Sequence, residues 1–426
     1  MANNVFQTLK ERGFVYQCTD EENVEKLLTE KQITFYIGFD PTAISLQIGN
    51  LVPIMAMMHM QRAGHRPIVI VGAGTAMVGD PSGKTEMRKM LTIEQINQNM
   101  EAQKFQFAKY IDFSDNKALM LNNADWLAKL NYIELLRDVG RHFSVNRMLS
   151  AESYKIRMET GLSFLEFNYM ILQSYDFYKL ADEYDCILQM GGQDQWGNIV
   201  MGADLTRRMI SKEVYGLTFP LIVNSQGQKF GKSVAGAVWL DEAKTSPFEY
   251  YQFWRNVEDS EVEKLLGLFT FLPMDEVHLL GQLQPPQINR AKEILAFEAT
   301  TISHGRAAAE EAYKASVTQF GQSDPKGEIK TSSEITQIQV EISESIPTEI
   351  LSNSDLKAGI LMIDLFVKSG LCSSNSDARR LITQGGAYID NEQVSDLKKV
   401  LTESEVNDKS VLLRAGKKRY KRVIFE

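Results

Sequence analysis

A chain of 426 residues, 44% hydrophobic and 24% charged, has room for roughly two to four domains and the make-up of an ordinary soluble protein. Three scattered cysteines (Cys18, Cys186, Cys372) exclude a disulfide framework and a CxxC zinc site, and they fit a reducing cytoplasm. The net charge of −9 excludes a whole-surface nucleic-acid binder, and no apolar run approaches the length of a membrane span.

The opening residues, Met1-Ala2-Asn3-Asn4-Val5-Phe6, lack a basic stretch followed by an apolar core, so no signal peptide is expected. Thr34–Phe39 predicts a buried strand, Asn50–Arg62 a helix, and Pro67–Val71 a second apolar strand. This is the strand–helix–strand unit of a parallel sheet. Further strands are predicted at Ala118–Leu121, Cys186–Met190 and Phe219–Val223. The alternation implies a doubly wound, Rossmann-like parallel α/β domain over residues 1–235. Residues 236–320 read as mostly helical. Residues 321–355 begin as a Ser/Thr/Glu/Gln-rich linker with Pro325 and Pro347, and an Ile/Val alternation at 335–342 allows one strand. Residues 356–426 read as a small α+β domain. They hold 13 Lys+Arg against 9 Asp+Glu, leaving 33 against 46 elsewhere. A basic end on an acidic body predicts contact with RNA or another anion there; a basic surface with no partner is the plainer alternative.

Two glycine-rich stretches fail their motifs. Gly79–Thr85 has Val78 where a phosphate loop needs its first Gly, and Gly72-Ala73-Gly74 has Met77 where a dinucleotide fingerprint needs its third. These glycines are better read as permitting tight turns or close approach. Tyr169, Gln173 and Asp176 fall at i, i+4 and i+7, on one side of a helix amid apolar residues. That side is either a solvated face or a ligand-binding one. Gln189-Met190-Gly191-Gly192-Gln193-Asp194-Gln195-Trp196-Gly197-Asn198 follows a strand and opens a helix, the usual place for a ligand crevice. Lys229 and Lys232 flank a glycine in a polar loop and suit a triphosphate, although a solvated loop has the same composition. None of the five histidines falls in these motifs, so Ser–His–Asp hydrolysis lacks support. Attack of a carboxylate on an α-phosphate needs no general base, only positioning and charge stabilisation.

Taken in order, several segments resemble the bacterial tyrosyl-tRNA synthetases, a family of class I aminoacyl-tRNA synthetases, over nearly the whole chain. They are Tyr36-Ile37-Gly38-Phe39-Asp40-Pro41-Thr42, Val78-Gly79-Asp80-Pro81-Ser82, Phe143-Ser144-Val145-Asn146, Leu172-Gln173-Ser174-Tyr175-Asp176-Phe177, Asp194-Gln195-Trp196-Gly197-Asn198 and Lys229-Phe230-Gly231-Lys232-Ser233. The resemblance implies a tyrosine–tRNA ligase that uses ATP, with Mg2+, to form tyrosyl-adenylate and then charges tRNA(Tyr). It also implies a cytoplasmic homodimer with no resident metal. Tyr36 and Asp176 would bond the phenolic hydroxyl; Asp80, Tyr169 and Gln173 would hold the ammonium group; Gln195 would approach the carboxylate. Gly38, Asp40, Gly49 and Asp194 would meet the adenosine part, with Gly191 and Gly192 lining the pocket and Asn50 also among the ATP-binding residues. Thr42, Gln47, Lys229 and Lys232 would act on the pyrophosphate, with Lys84 and Arg88 as mobile cations nearby. The C-terminal domain resembles the alpha-L RNA-binding motif, with Ser374–Ile382 as its helix and Gly385–Asn391 as its turn and strand. Arg379, Arg380, Lys417, Lys418 and Arg419 would meet tRNA.

The family writes its first signature His-Ile-Gly-His, where this chain has Gln47-Ile48-Gly49-Asn50. Each replacement keeps an NH2 donor but can never become a cation. Activation is therefore expected to persist without a titration near neutral pH from these positions. Gln193 stands where many relatives carry Ser, and its bulk gives it the means to reshape the pocket. An enzyme for a modified tyrosine, or a non-catalytic RNA-binding relative, stays open as an alternative.

Overall fold

A computed structural model describes residues 4–82, 90–223, 230–233, 236–339, 348–390, 392–406, 410–416 and 419–425. The chain divides into two compact units, Met1–Arg306 and Ala307–Glu426.

The first unit is built on a six-stranded sheet: β1 (Gln17–Cys18), β2 (Thr34–Phe39), β3 (Arg66–Val71), β4 (Leu119–Asn122), β5 (Cys186–Gly192) and β6 (Tyr215–Phe219). The spatial order is β1-β6-β5-β2-β3-β4. All neighbours are parallel except β1, which pairs antiparallel with β6 at one edge. Residues 67–71 of β3 are buried on both faces, as a central parallel strand covered by helices requires. The chain winds from β2 through β3 to β4 in one direction, then returns to β5 on the other side of β2 and winds to β6. Strand order thus reverses between β2 and β5, and the crevice at their carboxyl ends is where such sheets bind ligands.

Five helices of this unit matter for the site: α1 (Leu51–Arg62), α2 (Glu152–Thr160), α3 (Phe164–Phe167), α4 (Tyr169–Glu183) and α5 (Trp196–Ile210). The expected strand at Phe219–Val223 is displaced: β6 ends at Phe219 because Pro220 has no N–H to continue a ladder. Two short strands, β7 (Lys232–Ser233) and β8 (Gly236–Ala237), pair antiparallel. Beyond it come the helices Pro247–Arg255, Val262–Phe269, Met274–Gly281 and Ile288–His304, in line with the helical reading. The buried guanidinium of Arg12 donates to the carbonyls of Gly267, Thr270 and Leu272, at and just beyond the C-terminus of the helix Val262–Phe269.

The second unit opens with the helix Arg306–Phe320, which spans the division. Its strands are β9 (Thr348–Leu351), β10 (Ile360–Leu361), β11 (Ala387–Ile389), β12 (Glu392–Gln393), β13 (Val400–Leu401), β14 (Ser410–Ala415) and β15 (Arg419–Phe425). Five of them form a sheet in the order β12-β11-β14-β15-β9, and β10 pairs with β13. Helices Met362–Lys368 and Asn375–Thr383 supply Leu365, Phe366, Ala378 and Ile382 to a core shared with Leu413, Val423 and Phe425. Ser374 caps the helix Asn375–Thr383 by accepting from the Asp377 N–H. The Ile/Val alternation at 335–342 does not make a strand in its described part, where residues Glu334–Gln337 form a 3-10 turn capped by Ser333. A strand does occur close by, at β9, which runs parallel to β15. Asn391 lies outside the described residues.

Candidate active site

A cavity of about 420 Å³ opens at the carboxyl ends of β2 and β5. Its lining includes Tyr36, Gly38, Asp40, Thr42, Gln47, Asn50, Asp80, Tyr169, Gln173, Asp176, Gly191, Gly192, Asp194 and Gln195. Residues spread over more than 150 positions thus meet at one place. Gly49 sits beside this set, exposed on the turn Ile48–Asn50, and is not a lining residue. Lys84, Arg88 and Lys229 lie outside the described residues, and Lys232 is placed by its backbone, which pairs with Ala237.

The floor is formed by Tyr36 from β2 and Asp176 from α4, both buried. Asp176 accepts one hydrogen bond on each oxygen, from the Trp126 indole at 2.7 Å and from Asn123 at 2.9 Å. Burial pushes its carboxyl up to about 7 against the opposing pull of these two donors; the charge of Asp40 adds to the rise. The hydroxyl of Tyr36 is buried and has no hydrogen-bond partner among the described residues, and burial, then the charge of Asp176, hold it well above the usual phenol range. A carboxylate has room for about four donors. The floor therefore offers a spare acceptor and an unpaired hydroxyl, the pairing a phenolic hydroxyl needs.

Above the floor runs a hydrogen-bond chain. Asn123 also donates to the Thr75 hydroxyl at 3.0 Å, and Thr75 donates to Asp40 at 2.8 Å. The second oxygen of Asp40 accepts from Tyr169 at 3.0 Å. On the other wall Gln195 donates to Asp80 at 2.7 Å, and Asn198 donates to Gln173 at 2.9 Å and to Gln195 at 3.1 Å. Gly72 makes the crowding at Asp40 possible: a Cβ there would lie 2.3 Å from an Asp40 oxygen and 2.5 Å from the Thr75 hydroxyl. Four carboxylates (Asp40, Asp80, Asp176, Asp194) face the cavity, and its described lining contains no Lys, Arg or His. Such a field favours an ammonium group and leaves phosphate charge to cations from elsewhere.

The two signatures lie against each other in their described parts. Ile48 N–H donates to the Val238 carbonyl at 3.0 Å, Leu240 N–H to the Leu46 carbonyl at 2.9 Å, and Gln47 bridges Trp239. Gly231, at φ 94°, leaves no space for a side chain, because a Cβ would meet Ile48 Cγ2 at 2.3 Å. Asn50 has a structural use: its Oδ1 accepts from the Gln47 N–H at 2.9 Å and closes the signature turn. Gln193 is absent from the described lining, and its Oε1 accepts from the Leu221 N–H at 2.8 Å.

Sequence reasoning misses Thr75, Asn123 and Trp126. Asn122-Asn123-Ala124-Asp125-Trp126 does leave the carboxyl end of β4, where polar residues of a parallel sheet merit scrutiny. Thr75 carries no comparable local signal.

A parallel sheet with its crevice at the reversal point, an acidic cavity there, and two distant polar signatures packed against each other are the arrangement of a class I aminoacyl-tRNA synthetase. A family model described as tRNA synthetases class I (W and Y) matches residues 28–321, and one described as Tyrosine--tRNA ligase SYY-like C-terminal domain matches residues 340–423. The chain is 52% identical over 424 residues to the tyrosine–tRNA ligase of Clostridium botulinum strain Hall, covering 100% of both chains. It is also 52% identical over 428 residues to that of Desulfatibacillum aliphaticivorans, covering 100% of this chain and 99% of the other. The C-terminally truncated mitochondrial tyrosyl-tRNA synthetase of Aspergillus nidulans matches with a TM-score of 0.66 at 30% identity, over 74% of this chain and 93% of that one. The chain belongs to the tyrosyl-tRNA synthetase family.

Proposed function

We propose that the cavity binds L-tyrosine and ATP, joins them as tyrosyl-adenylate with release of pyrophosphate, and that the tyrosyl group then passes to the 3′ end of tRNA(Tyr). The observation that carries this reading is the floor: an unpaired Tyr36 hydroxyl beside an Asp176 carboxylate with spare acceptor capacity. Phenylalanine would leave both groups desolvated and unmatched, and an indole could only donate. At the ammonium end, Asp80, Tyr169 and Gln173 hold the amine, and Gln195 approaches the carboxylate from its bond to Asp80.

In the first step a carboxylate oxygen of tyrosine attacks the α-phosphorus and the bond to pyrophosphate breaks. Gly38, Asp40, Asn50, Gly191, Gly192 and Asp194 position the adenosine part, with Gly49 at the signature turn. Thr42 and Gln47, with Lys229, Lys232, Lys84 and Arg88, receive the leaving charge. Mg2+ enters bound to the ATP phosphates, as part of the co-substrate. In the second step a terminal ribose hydroxyl of tRNA attacks the tyrosyl carbonyl carbon and AMP leaves.

We assign activation to residues 1–235, tRNA contact to 236–320, a linker role to 321–355, and RNA binding to 356–426. Arg379 and Arg380 are exposed on the helix Asn375–Thr383, and Arg419 is exposed at the start of β15, which supports an RNA-facing role for them; Lys417 and Lys418 adjoin Arg419 in sequence. The exposed apolar side chains of Tyr132, Ile133, Leu136, Val145, Met158 and Phe164 support a homodimer. Among the described residues no helix is long and apolar enough to cross a membrane, and the reading places the enzyme in the cytoplasm. Tyrosine-dependent exchange of pyrophosphate into ATP tests the whole reading. Exchange driven equally by phenylalanine, or absent with tyrosine, would defeat it.

A further inference from the structure

Tyr169 is the first residue of α4, the helix that also brings Gln173 and Asp176 to the cavity. Helix starts leave their first N–H groups without intrahelical partners, and an N-cap side chain commonly takes one. Asn168, the N-cap of α4, makes no such bond; its amide turns back to the Phe164 carbonyl at 2.6 Å. The acceptor comes from α2 instead. Met170 N–H donates to the hydroxyl of Tyr154 at 3.3 Å, and that hydroxyl donates to the Phe167 carbonyl at 2.8 Å. One oxygen thus grips the backbone two residues before Tyr169 and one residue after it.

The grip is itself held firmly. Tyr154 is fully buried, its ring lies 5.6 Å from that of Phe167, and it packs in one cluster with Met148, Met170 and Ile171. The loop from α2 to α3 is tied by a buried ion pair in which Arg157 donates to both oxygens of Glu166 at 3.0 Å. Glu166 in turn accepts from the Ser163 N–H and hydroxyl at 3.1 and 2.8 Å. At the far end of this arrangement the Tyr169 hydroxyl meets Asp40 at 3.0 Å. A displaced helix start would move that hydroxyl directly, because no turn of helix intervenes.

We propose that Tyr154 is a positioning residue for the substrate ammonium group: it is not among the described lining residues of the cavity, and its hydroxyl sets the backbone from which Tyr169 reaches the substrate. The proposal rests on the tyrosine-site reading above. A phenol is suited to this task because it donates and accepts at one atom, and the backbone presents one carbonyl and one N–H to it.

Tyr154→Phe keeps the ring and its packing and deletes only the hydroxyl. Binding of L-tyrosine is compared with binding of 3-(4-hydroxyphenyl)propanoate, which has the same phenol and carboxylate but no ammonium. Tyr154→Phe should weaken tyrosine about 5- to 10-fold, as expected for one lost hydrogen bond, and leave the second ligand and the KM for ATP unchanged. Tyr169→Phe should discriminate between the two ligands in the same sense, and the double variant should lose no more than Tyr169→Phe alone. A purely structural Tyr154 would weaken both ligands alike, or neither, while Tyr169→Phe still discriminated; that result overturns the proposal. If Tyr169→Phe also failed to discriminate, the ammonium assignment itself would be wrong, and the role of Tyr154 would fall with it.

Discussion

Trp126 donates its indole N–H to one oxygen of Asp176, and the carboxylate so held sits beside the unpaired hydroxyl of Tyr36. The indole orients the carboxylate without neutralising it, so the cost of burial shows up as a raised carboxyl. Specificity and proton affinity are therefore set at the same atoms.

That relationship has a pH signature. A carboxyl whose folded-state value, about 7, exceeds its ordinary 3.8 binds a proton more readily in the folded chain. Between those values stability falls as pH rises. The phenolic hydroxyl of tyrosine donates best to the ionised form, so tyrosine affinity should rise through about pH 7 and then level off. Asp176→Asn should abolish the rise. Binding titrations from about pH 5.5 to about pH 8.5 check this, and a flat profile in the unaltered enzyme would contradict it.

Tyr36→Phe removes the donor at the floor and nothing else. Tyrosine should bind about fivefold more weakly, and phenylalanine should bind more tightly because one unmatched hydroxyl is gone. The ratio of kcat/KM for the two amino acids in pyrophosphate exchange measures the change. An unaltered ratio would show that Tyr36 takes no part in selection.

Gly231→Ala should separate the two signatures. Its φ of 94° alone costs a side chain about 1 to 2 kcal/mol, and the new methyl would overlap Ile48. Because the strain falls at the phosphate end, kcat for exchange should drop about tenfold while tyrosine affinity stays constant. Loss of tyrosine affinity instead would indicate a wider disturbance of the fold.

Removing residues 340–426 should spare activation and damage tRNA charging. The cut belongs before β9, because that strand pairs with β15 inside the C-terminal sheet. In the full chain tRNA affinity should fall steeply with salt, since phosphate contacts by Arg and Lys release counterions. Parallel assays of exchange and charging decide the matter; equal loss of both would argue against separate roles.

Ile133 is 69% exposed, one of several exposed apolar side chains between Tyr132 and Phe164. Placing a charge there, as Ile133→Asp, should shift sedimentation from dimer toward monomer with little change in the fold of the single chain. A chain that sediments as a monomer before the substitution would remove the proposed interface altogether.

Much of the first unit is legible in the sequence because its signals are local. The run Thr34–Phe39 announces β2, Pro67–Val71 announces most of β3, and Asn50–Arg62 announces α1 to within a residue. The strand expected at Phe219–Val223 shares only Phe219 with the observed Tyr215–Phe219, since Pro220 stops the ladder where composition alone would begin it. The spacing of Tyr169, Gln173 and Asp176 says that they share a side of a helix, but not whether water or a ligand faces them. Only the tertiary structure decides that, by bringing Asn123 and Trp126 to Asp176 and Thr75 and Tyr169 to Asp40. It likewise shows Gln193 accepting from the Leu221 N–H, a contact the local pattern does not announce. A residue's type and its local pattern are properties of the chain. Which buried donor meets which acceptor depends on backbone segments tens to hundreds of residues apart, and only the packed sheet sets those distances.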